Sequence, residues 1–367
     1  MGVIIPYLGV FLDARGFSSV EIGQLTAFIT LARIIGPHLW ANFSDKSGKN
    51  LRMLQLGCLL SLCCFSLVFF IDSFWALSIS IGLMMMFISA ILPQIEVLTL
   101  SCVNGQGSRY GKIRLWGSIG YILLTIATGT MIDSFSTEAP VYITSLILLT
   151  LLCSSFFLTE PNKTREPLQQ NDSIWPKLKA PIFICFIFSA MLLQMSFGPY
   201  YGFFALYAKD LGYSGQATGW LIATGVMVEV VIFIFAGGLI KRFGFKSLLV
   251  FSIGLTALRW ALLAYYADSL FFLLLSQMLH AFSFAMTHAA SIHFIHVYFG
   301  KYFQSRGQAI YISVAFGLGG AGGGFIAGEL WQQGQGAELT FLFASISAIV
   351  SAICLLPITS KRMNGVA

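Results

Sequence analysis

The chain contains the stretch Gly237-Gly-Leu-Ile-Lys-Arg-Phe-Gly-Phe-Lys246, and 196 residues earlier it contains Ala41-Asn-Phe-Ser-Asp-Lys-Ser-Gly-Lys49. Each stretch follows a long apolar segment, begins with a small residue and carries a glycine among basic residues. Either one alone would be an ordinary basic turn. Because two copies at one offset are typical of an internal repeat, they predict two halves with the same architecture.

Further residues match at the same offset of 196 positions. The offset lays Arg33 on Glu229, so each half carries one charge at a corresponding depth in an apolar segment. Because charged side chains inside a membrane are costly and rare, this pair predicts a transport pathway between the halves. The other matched pairs are Gly16 and Gly212, Ser18 and Ser214, Gly23 and Gly219, Asp72 and Asp268, and Gly111 and Gly307.

The composition predicts a protein that crosses a membrane many times. Hydrophobic residues make up 57% of the 367 residues and charged residues only 10%, whereas soluble domains carry about 25% charged residues. Apolar runs of about 20 residues recur between short polar breaks, which gives eleven whole spans and a partial one, the stub from Gly2 to Leu12. The predicted fold is all-α, with two six-helix halves (1–158 and 181–367) related by a pseudo-two-fold axis and joined by a linker (159–180).

The first span is predicted to be truncated. The seventh span begins near Pro181, so the offset places the start of its counterpart about fifteen residues ahead of Met1. We therefore expect the chain to begin inside its first helix and to be less stable than a chain with a complete one. A signal peptide is the alternative interpretation, although no basic leader precedes the apolar run.

The distribution of basic residues predicts the orientation. Of the 21 Lys and Arg residues, 17 lie in alternate loops, in the linker and at the C-terminus, whereas only Arg15 and Lys209 lie in the loops of the other side. The positive-inside rule assigns the basic side, with the C-terminus, to the cytoplasm of a cell with this protein in its inner membrane. Topology thereby explains the net charge of +6. The expected partners are the bilayer and a small-molecule substrate, without nucleic acid, and the chain is expected to be a monomer.

The two basic stretches resemble the loop signature of the major facilitator superfamily, in which a small residue, an Asp-Arg pair, a glycine and basic residues follow one another. This chain departs from the signature at Lys46, where Arg is usual, and at Lys241, where Asp is expected. The resemblance implies a gating loop in each half. The gating residues that it assigns are Asp45, Lys46, Gly48, Lys241, Arg242 and Gly244.

A narrower resemblance covers nearly the whole chain. The strings that carry it are Tyr110-Gly-Lys-Ile-Arg-Leu-Trp-Gly-Ser-Ile-Gly-Tyr121, Tyr200-Tyr-Gly-Phe203, Val228-Glu-Val-Val-Ile-Phe233, Arg259-Trp260 and Leu279-His-Ala281. With these strings, the chain is similar to the 3-phenylpropionate permease branch of that superfamily, a branch related to the nucleoside and lactose proton symporters. The resemblance implies alternating access and proton-coupled import of a small organic solute.

The lactose-permease type also implies roles for individual side chains. In that type a histidine is followed three residues later by a second carboxylate, where this chain has Ser283, so the implied proton relay is incomplete here. The residues that match are Glu96 and Arg114, as a pair between the fourth and fifth helices, and Glu229, Arg259 and His280, as the charged group of the second half.

Physical chemistry supports the same region without the resemblance. A charged side chain near the bilayer centre costs about 3 kcal/mol on insertion scales, so Arg33, Glu229 and Arg259 are expected to face a wet cavity or a partner. Moving an arginine relative to Glu229 would change its protonation and couple a proton to transport. Static salt bridges that hold helices together are the alternative, for Glu229 with Arg259 and for Glu96 with Arg114.

Aromatic residues form a stripe on the seventh span. Tyr200, Phe203, Phe204 and Tyr207 follow the spacing i, i+3, i+4 and i+7, so they share one helix face. The stripe predicts either helix packing or a binding wall with hydroxyl groups, and the first and seventh helices line the cavity in the resembled family. The further aromatic candidates for substrate binding are Tyr201 and Trp116.

Glycines on the fifth and eleventh spans predict close helix packing. Gly317-Leu-Gly-Gly-Ala-Gly322 fits a dinucleotide-binding pattern, but it lies inside an apolar span with no strand before it. We therefore interpret its glycines as small-residue faces against which helices move. The corresponding glycines of the fifth span are Gly117, Gly120 and Gly129.

The predicted function is proton symport of a small organic solute, in the first place an aromatic carboxylate such as 3-phenylpropionate. Arg33 or Arg259 would bind the carboxylate, the tyrosines would stack on the ring, and Glu229 with His280 would carry the proton. A sugar or nucleoside symporter is the alternative, and a lipid-handling or receptor-type membrane protein is the second alternative. No enzymatic activity, metal or cofactor is expected, and the proton gradient would supply the energy.

Overall fold

The computed structural model describes residues 2–47, 50–102, 107–159 and 173–358, and within these ranges the regular secondary structure is helical. The all-α prediction is confirmed. Twelve apolar helices of 11 residues or more follow one another along the described ranges. They are α1 (Ile4–Ala14), α2 (Ser19–Ser47), α3 (Leu51–Phe69), α4 (Phe74–Cys102), α5 (Gly107–Ser134), α6 (Ala139–Ser155), α7 (Pro181–Asp210), α8 (Gly215–Phe243), α9 (Phe245–Tyr265), α10 (Leu270–Gly300), α11 (Tyr302–Gly334) and α12 (Ala337–Leu355).

Ten of these helices are long and apolar enough to cross a membrane, counted over the described residues. The other two are α1 and α6, with 11 and 17 residues. The sixth span, predicted as whole, is therefore a shorter helix, which begins at Ala139 and ends at Ser155. Most of the linker (160–172) lies outside the described residues, so the bounds predicted for the linker and for the two halves stay predictions.

The internal repeat of the sequence is also present in the backbone, at two matching turns. Gly16 and Gly212 have φ values of 83° and 84° after α1 and α7, a left-handed conformation that glycine adopts without strain. Each turn leads into a capped helix. The Ser18 and Glu21 side chains each accept the other's backbone N–H at the start of α2, and Ser214 accepts the N–H of Ala217 at the start of α8. The repeated Gly-x-Ser pattern thus begins the second helix of each half.

The contacts between the halves also occur twice. Helix α2 packs against α11, and α5 packs against α8. Because the offset of 196 residues exchanges α2 with α8 and α5 with α11, these are the same contact related by pseudo-two-fold symmetry. Both crossings depend on glycine, since a Cβ on Gly23 would lie 2.5 Å from Gly328 Cα, and a Cβ on Gly129 would lie 2.0 Å from the Gly215 carbonyl oxygen.

These crossings close one end of the bundle, which we call the closed face. There the Asp133 carboxylate accepts the N–H groups of Gly215 and Gln216 at 2.7 and 2.8 Å. At the symmetry-related position, Ser19 and Gln333 exchange hydrogen bonds between α2 and α11. The opposite end, which carries most of the basic residues, is the basic face.

The prediction of close glycine packing is confirmed for α11 and for Gly129 of α5, and it is corrected for Gly117 and Gly120. Gly319 and Gly323 approach the α7 backbone at Met191 and Met195, and Gly129 packs on α8. A Cβ on Gly117 or on Gly120 would meet no atom within 4 Å. These two lie on the half of α5 nearer the basic face, where the halves are apart, so they border open space instead of a helix.

Candidate functional site

A cavity of about 660 Å³ lies between the two halves. Residues of α1, α2, α4, α5, α7, α8, α10 and α11 line it, so both halves contribute. Its lining reaches Glu96, Thr99 and Arg114, near the ends of α4 and α5 at the basic face. The cavity is therefore accessible from the basic face and shut at the closed face.

Seven of the predicted side chains meet in this cavity. Charges from both halves and two aromatic rings share its wall. The lining residues that the sequence predicted are Arg33, Glu96, Arg114, Tyr200, Tyr201, Glu229 and His280. Their functional roles stay predictions, but their meeting at one place is a property of the structure.

The charges of the first half are open to the cavity. Arg33 lies on α2 with an exposed side chain, and within the described ranges no ion pair involves it. Arg114 Nη1 and Glu96 Oε1 form a salt bridge at 2.7 Å, which joins α5 to α4 as predicted, with side chains that are 66% and 39% exposed. The first half thus presents one cation without a carboxylate partner and one solvated ion pair.

The charges of the second half are sheltered. His280 Nε2 lies 3.5 Å from Glu229 Oε2, and both side chains are mostly buried, at 8% and 16% exposure. His280 Nδ1 has no hydrogen-bond partner, and its ring stacks on Tyr200 and Phe284. A π-helical turn, Phe282–Met286, follows directly in α10, a local distortion that is frequent at functional sites.

Arg259 does not line the cavity, and no ion pair joins it to Glu229 in the described part of the chain. The residue is fully buried, with its guanidinium 4.4 Å from the centre of the Tyr200 ring and 4.2 Å from that of Trp260. By distance and angle, none of its three side-chain nitrogens has a hydrogen-bond partner among the described residues. The prediction that Arg259 binds substrate or pairs with Glu229 is corrected for this conformation, because the Tyr200 ring stands between it and the cavity.

The two rings beside Arg259, Tyr200 and Trp260, are each fixed by a hydrogen bond. The Tyr200 hydroxyl donates a hydrogen bond of 2.9 Å to Gln277 Oε1 on α10. The indole of Trp260, on the other side of Arg259, donates to Ser196 Oγ at 3.0 Å. Two fixed rings therefore enclose the arginine, an arrangement in which cation–π attraction replaces a counter-ion.

The aromatic stripe of α7 divides between two environments. Tyr200 lines the cavity, whereas Phe203 stacks on Trp331 at 4.9 Å and Tyr207 packs on Phe341 at 5.4 Å. The Tyr207 hydroxyl donates to the carbonyl of Leu263. Phe203 and Tyr207 are thus corrected from binding residues to core residues of the second half, because this face of α7 turns toward α11 and α12.

Trp116 is corrected as well. It is 72% exposed and lies outside the cavity lining. Of the five α5 residues in the cavity lining, Ile113 is one, and the other four share a helix face at i, i+3, i+4 and i+7, namely Arg114, Gly117, Ser118 and Tyr121. Trp116 lies off that face. The sequence analysis did not assign Tyr121 to the site. Helical spacing from Arg114 would have predicted it, because Tyr121 lies seven residues further along the same face.

The gating residues that the structure describes in full, Lys241, Arg242 and Gly244, lie outside the cavity lining. Lys241 and Arg242 form the last turn of α8, and Gly244 turns the chain into α9 with a φ of 76°. Gly48 lies outside the described residues, and so do the side chains of Asp45 and Lys46, whose backbone ends α2. Their gating role stays a prediction.

Comparisons with known proteins agree with this architecture. The sequence matches the model of the MFS_1 like family over residues 1–343. A probable 3-phenylpropionic acid transporter of Escherichia coli is 30% identical over 360 residues, which cover 95% of this chain and 92% of that protein. The maltose permease of Geobacillus stearothermophilus is 28% identical over 374 residues, with coverage of 98% and 91%. A crystal structure of a mutant nucleoside transporter NupG has a TM-score of 0.85 at 18% identity and covers 97% of this chain and 95% of its own, which is a likeness of fold.

Proposed function

Since this chain belongs to the MFS_1 like family of the major facilitator superfamily, we propose that it is a membrane transporter that imports a small aromatic carboxylate together with protons. The observation that carries this proposal is Arg33, a cation that faces the cavity and has no carboxylate partner within the described ranges. A substrate carboxylate would supply that partner. Arginine presents a planar fork of donors that matches a carboxylate in two hydrogen bonds.

The aromatic part of the substrate is supported by the rings beside this cation. Tyr121, Tyr200 and Tyr201 line the same cavity, from α5 and α7. Their flat faces offer apolar contact area at a low cost in side-chain entropy. The 30% identity to a probable 3-phenylpropionic acid transporter agrees with this substrate class.

Proton coupling is assigned to Glu229 and His280. They are the titratable pair that the second half presents to the cavity, and a gap of 3.5 Å leaves room for a stronger contact in another state. Loss or gain of one proton changes whether the two groups attract each other. A proton bound here would thus influence how the halves close around the substrate.

The positive-inside rule supports the basic face as the cytoplasmic one. With that orientation, the conformation described above is open to the cytoplasm and closed to the outside. Rocking of the halves about the α2–α11 and α5–α8 crossings would expose the cavity to the other side.

Uptake into vesicles with an imposed proton gradient tests the proposal. Labelled 3-phenylpropionate, uridine and maltose would be offered separately, each with and without a protonophore. We expect gradient-dependent accumulation of 3-phenylpropionate alone. Accumulation of uridine or maltose in its place would overturn the substrate class, and accumulation that survives the protonophore would overturn the coupling.

A sugar or nucleoside is the second candidate substrate. It is favoured by the Glu96–Arg114 salt bridge on the cavity wall, because a carboxylate accepts and a guanidinium donates hydrogen bonds, and both can bind hydroxyl groups. The same uptake experiment distinguishes this candidate from the first.

A further inference from the structure

Histidine is concentrated on α10. Four of the five histidines of the chain lie there, His280, His288, His293 and His296. His280 belongs to the proposed proton pair, whereas His293 and His296 are exposed, in the part of α10 nearer the basic face. His288 is a half-buried titratable group without a role in the function proposed above. It lies eight residues beyond His280, or about 12 Å nearer the basic face at ~1.5 Å per residue.

Aromatic rings surround His288. Its ring stacks on Phe284, with centres 5.9 Å apart and an interplanar angle of 5°, and Phe284 stacks in the same way on His280. Phe316 and Tyr311 of α11 contact the ring from the side, with centres 6.0 and 6.4 Å away. Phe284 and Phe316 both line the cavity. His288 therefore lies next to the cavity wall, in a column of rings that leads from His280 toward the basic face.

Both helices are distorted where they contact His288. Phe284 belongs to the π-helical turn Phe282–Met286 of α10, and Phe316 belongs to the π-helical segment Ile312–Gly319 of α11. Such distortions are rare, and they are frequent at functional sites. His288 Nδ1 is buried and has no hydrogen-bond partner within the part of the chain that the structure describes, whereas buried polar atoms normally have one. The packing of this histidine therefore leaves a proton-binding atom unsatisfied.

Charges of both signs act on His288 from the surrounding helices. Glu229 on α8 attracts a proton there, and Arg114 on α5 repels it. Tyr311 is the titratable group that α11 places against the ring. Arg259, the buried cation of α9, lies against a ring at the opposite end of the column. When Glu229 gives up a proton it becomes an anion, so a proton on His288 is favoured at that moment.

We propose that His288 is a second proton-binding residue of the coupling mechanism, which receives a proton from the Glu229–His280 pair and releases it to water at the basic face. This inference rests on the proposed proton coupling and is independent of which substrate is carried. The proton leaves the pair, is held on the imidazole of His288 and then passes to solvent, so no other reactant is consumed.

Water in the cavity would connect the two stations. About 12 Å along the helix separates His280 from His288, which is too far for a direct hydrogen bond. The cavity of about 660 Å³ has room for a chain of water molecules, since each occupies about 30 Å³ in the liquid. Phe284 and Phe316 line this space beside His288, so a small movement of either ring would bring water to the imidazole.

Net uptake and exchange together test the relay. Both would be measured in vesicles with an imposed proton gradient, with whichever of 3-phenylpropionate, uridine and maltose the wild type accumulates. Net uptake requires release of the proton inside in every cycle, whereas exchange of labelled for unlabelled substrate does not. We expect His288→Ala to slow net uptake by about tenfold or more and to leave exchange within about twofold of the wild type. His296→Ala, the same change at an exposed position of the same helix, is the matched control and should alter neither rate.

Chemical rescue distinguishes a proton relay from a packing role. Imidazole added to His288→Ala can enter the space left by the side chain and carry protons, so it should restore most of the net uptake rate. Pyrazole has a ring of the same size but is hardly protonated at neutral pH, so it should not. The wild type with the same additions corrects for effects on the gradient. His288→Gln keeps a polar side chain but carries no proton, and it should show the same loss of net uptake with exchange retained.

The outcomes separate the two proposals. If accumulation by the wild type survives a protonophore, or if the wild type accumulates none of the three substrates, the proposed function falls and the relay falls with it. If wild-type uptake depends on the proton gradient but His288→Ala keeps its net uptake rate, the inference is overturned while the function stands. Loss of exchange in both His288 variants, or equal rescue by pyrazole and imidazole, also overturns it, because the side chain would then serve packing or substrate binding.

Discussion

The two halves share one architecture but place their charges differently. In the first half, Arg33 and the Glu96–Arg114 pair are open to the cavity. In the second half, Glu229 pairs with His280 at low exposure, and Arg259 is enclosed by aromatic rings. Solvated charges exchange partners easily, whereas a buried charge responds strongly to each change of partner or protonation. This difference supports the proposed division, in which the first half binds a charged solute and the second half couples its movement to a proton.

The largest effect is expected from Glu229→Gln. The substitution keeps the size of the side chain but removes its ability to carry a proton, so gradient-driven accumulation should be abolished. Exchange of substrate across the membrane without a gradient should remain measurable. Accumulation and counterflow in the same vesicles would show both effects.

Glu96→Gln is the matched control for this prediction, with the same chemical change in the first half. It should retain gradient-driven accumulation, because the Glu96 side chain is solvated and has no assigned proton-carrying role. Unchanged accumulation in Glu229→Gln, or loss of accumulation in both variants, would remove the proposed division between the halves.

The next largest effect separates the two arginines. Arg33→Gln should raise the KM for an aryl carboxylate by about tenfold or more, since a hydrogen bond to a charged partner is worth about 1.5–3 kcal/mol. Arg259→Lys should lower the maximal rate severalfold with a smaller change in KM, because lysine keeps the charge but loses the planar stacking on Tyr200 and Trp260. Initial rates over a range of substrate concentrations measure both. If Arg259→Lys changed KM as strongly as Arg33→Gln, the arginine would contact substrate after all.

The two arginines also show which features of the site the sequence predicts and which it does not. Apolar runs of membrane length predicted the helices, and the offset predicted that Arg33 and Glu229 lie at equal depth. Which neighbour a side chain meets depends on the rotation of its helix, which changes by about 100° per residue, and on rings contributed by other helices. The Tyr200 ring, contributed by α7, covers Arg259. Trp116 lies outside the cavity lining, although its neighbour Gly117 is part of that lining. No spacing within one helix contains that information.

The sequence likewise predicted glycine packing on α5 and α11, but not the helices that they cross or the chemistry that closes the crossings. At the α5–α8 crossing a carboxylate accepts two backbone N–H groups, whereas the α2–α11 crossing is held by neutral groups of Ser19 and Gln333. The position matching Asp133 is Glu329, and the position matching Gln333 is Thr137. The repeat preserved the close approach of the helices and not the residues that join them.

Unequal closures give a third, intermediate prediction. Asp133→Ala should open the closed face more than Gln333→Ala, because hydrogen bonds to a charged group contribute about twice as much as neutral ones. The alkylation rate of a cysteine placed at Ile5, in a variant without the native cysteines, would report opening to an impermeant reagent added at the closed face. Asp133→Ala should raise the rate by about tenfold and Gln333→Ala by less. Equal rates in the two variants would show that glycine packing, and not the carboxylate, holds the α5–α8 crossing.

The smallest effect is expected from the Glu96–Arg114 salt bridge. Both side chains are substantially exposed, and exposed ion pairs contribute about 0–1 kcal/mol because water and salt screen them. A double-mutant cycle of Glu96→Gln and Arg114→Gln, followed by thermal unfolding in detergent, should therefore give a coupling energy below about 1 kcal/mol. Uptake of 3-phenylpropionate should change little in the double variant. A large coupling in uptake with none in stability would instead assign the pair to substrate binding and favour the sugar or nucleoside alternative, because the charges would then be needed by the transported molecule and not by the fold.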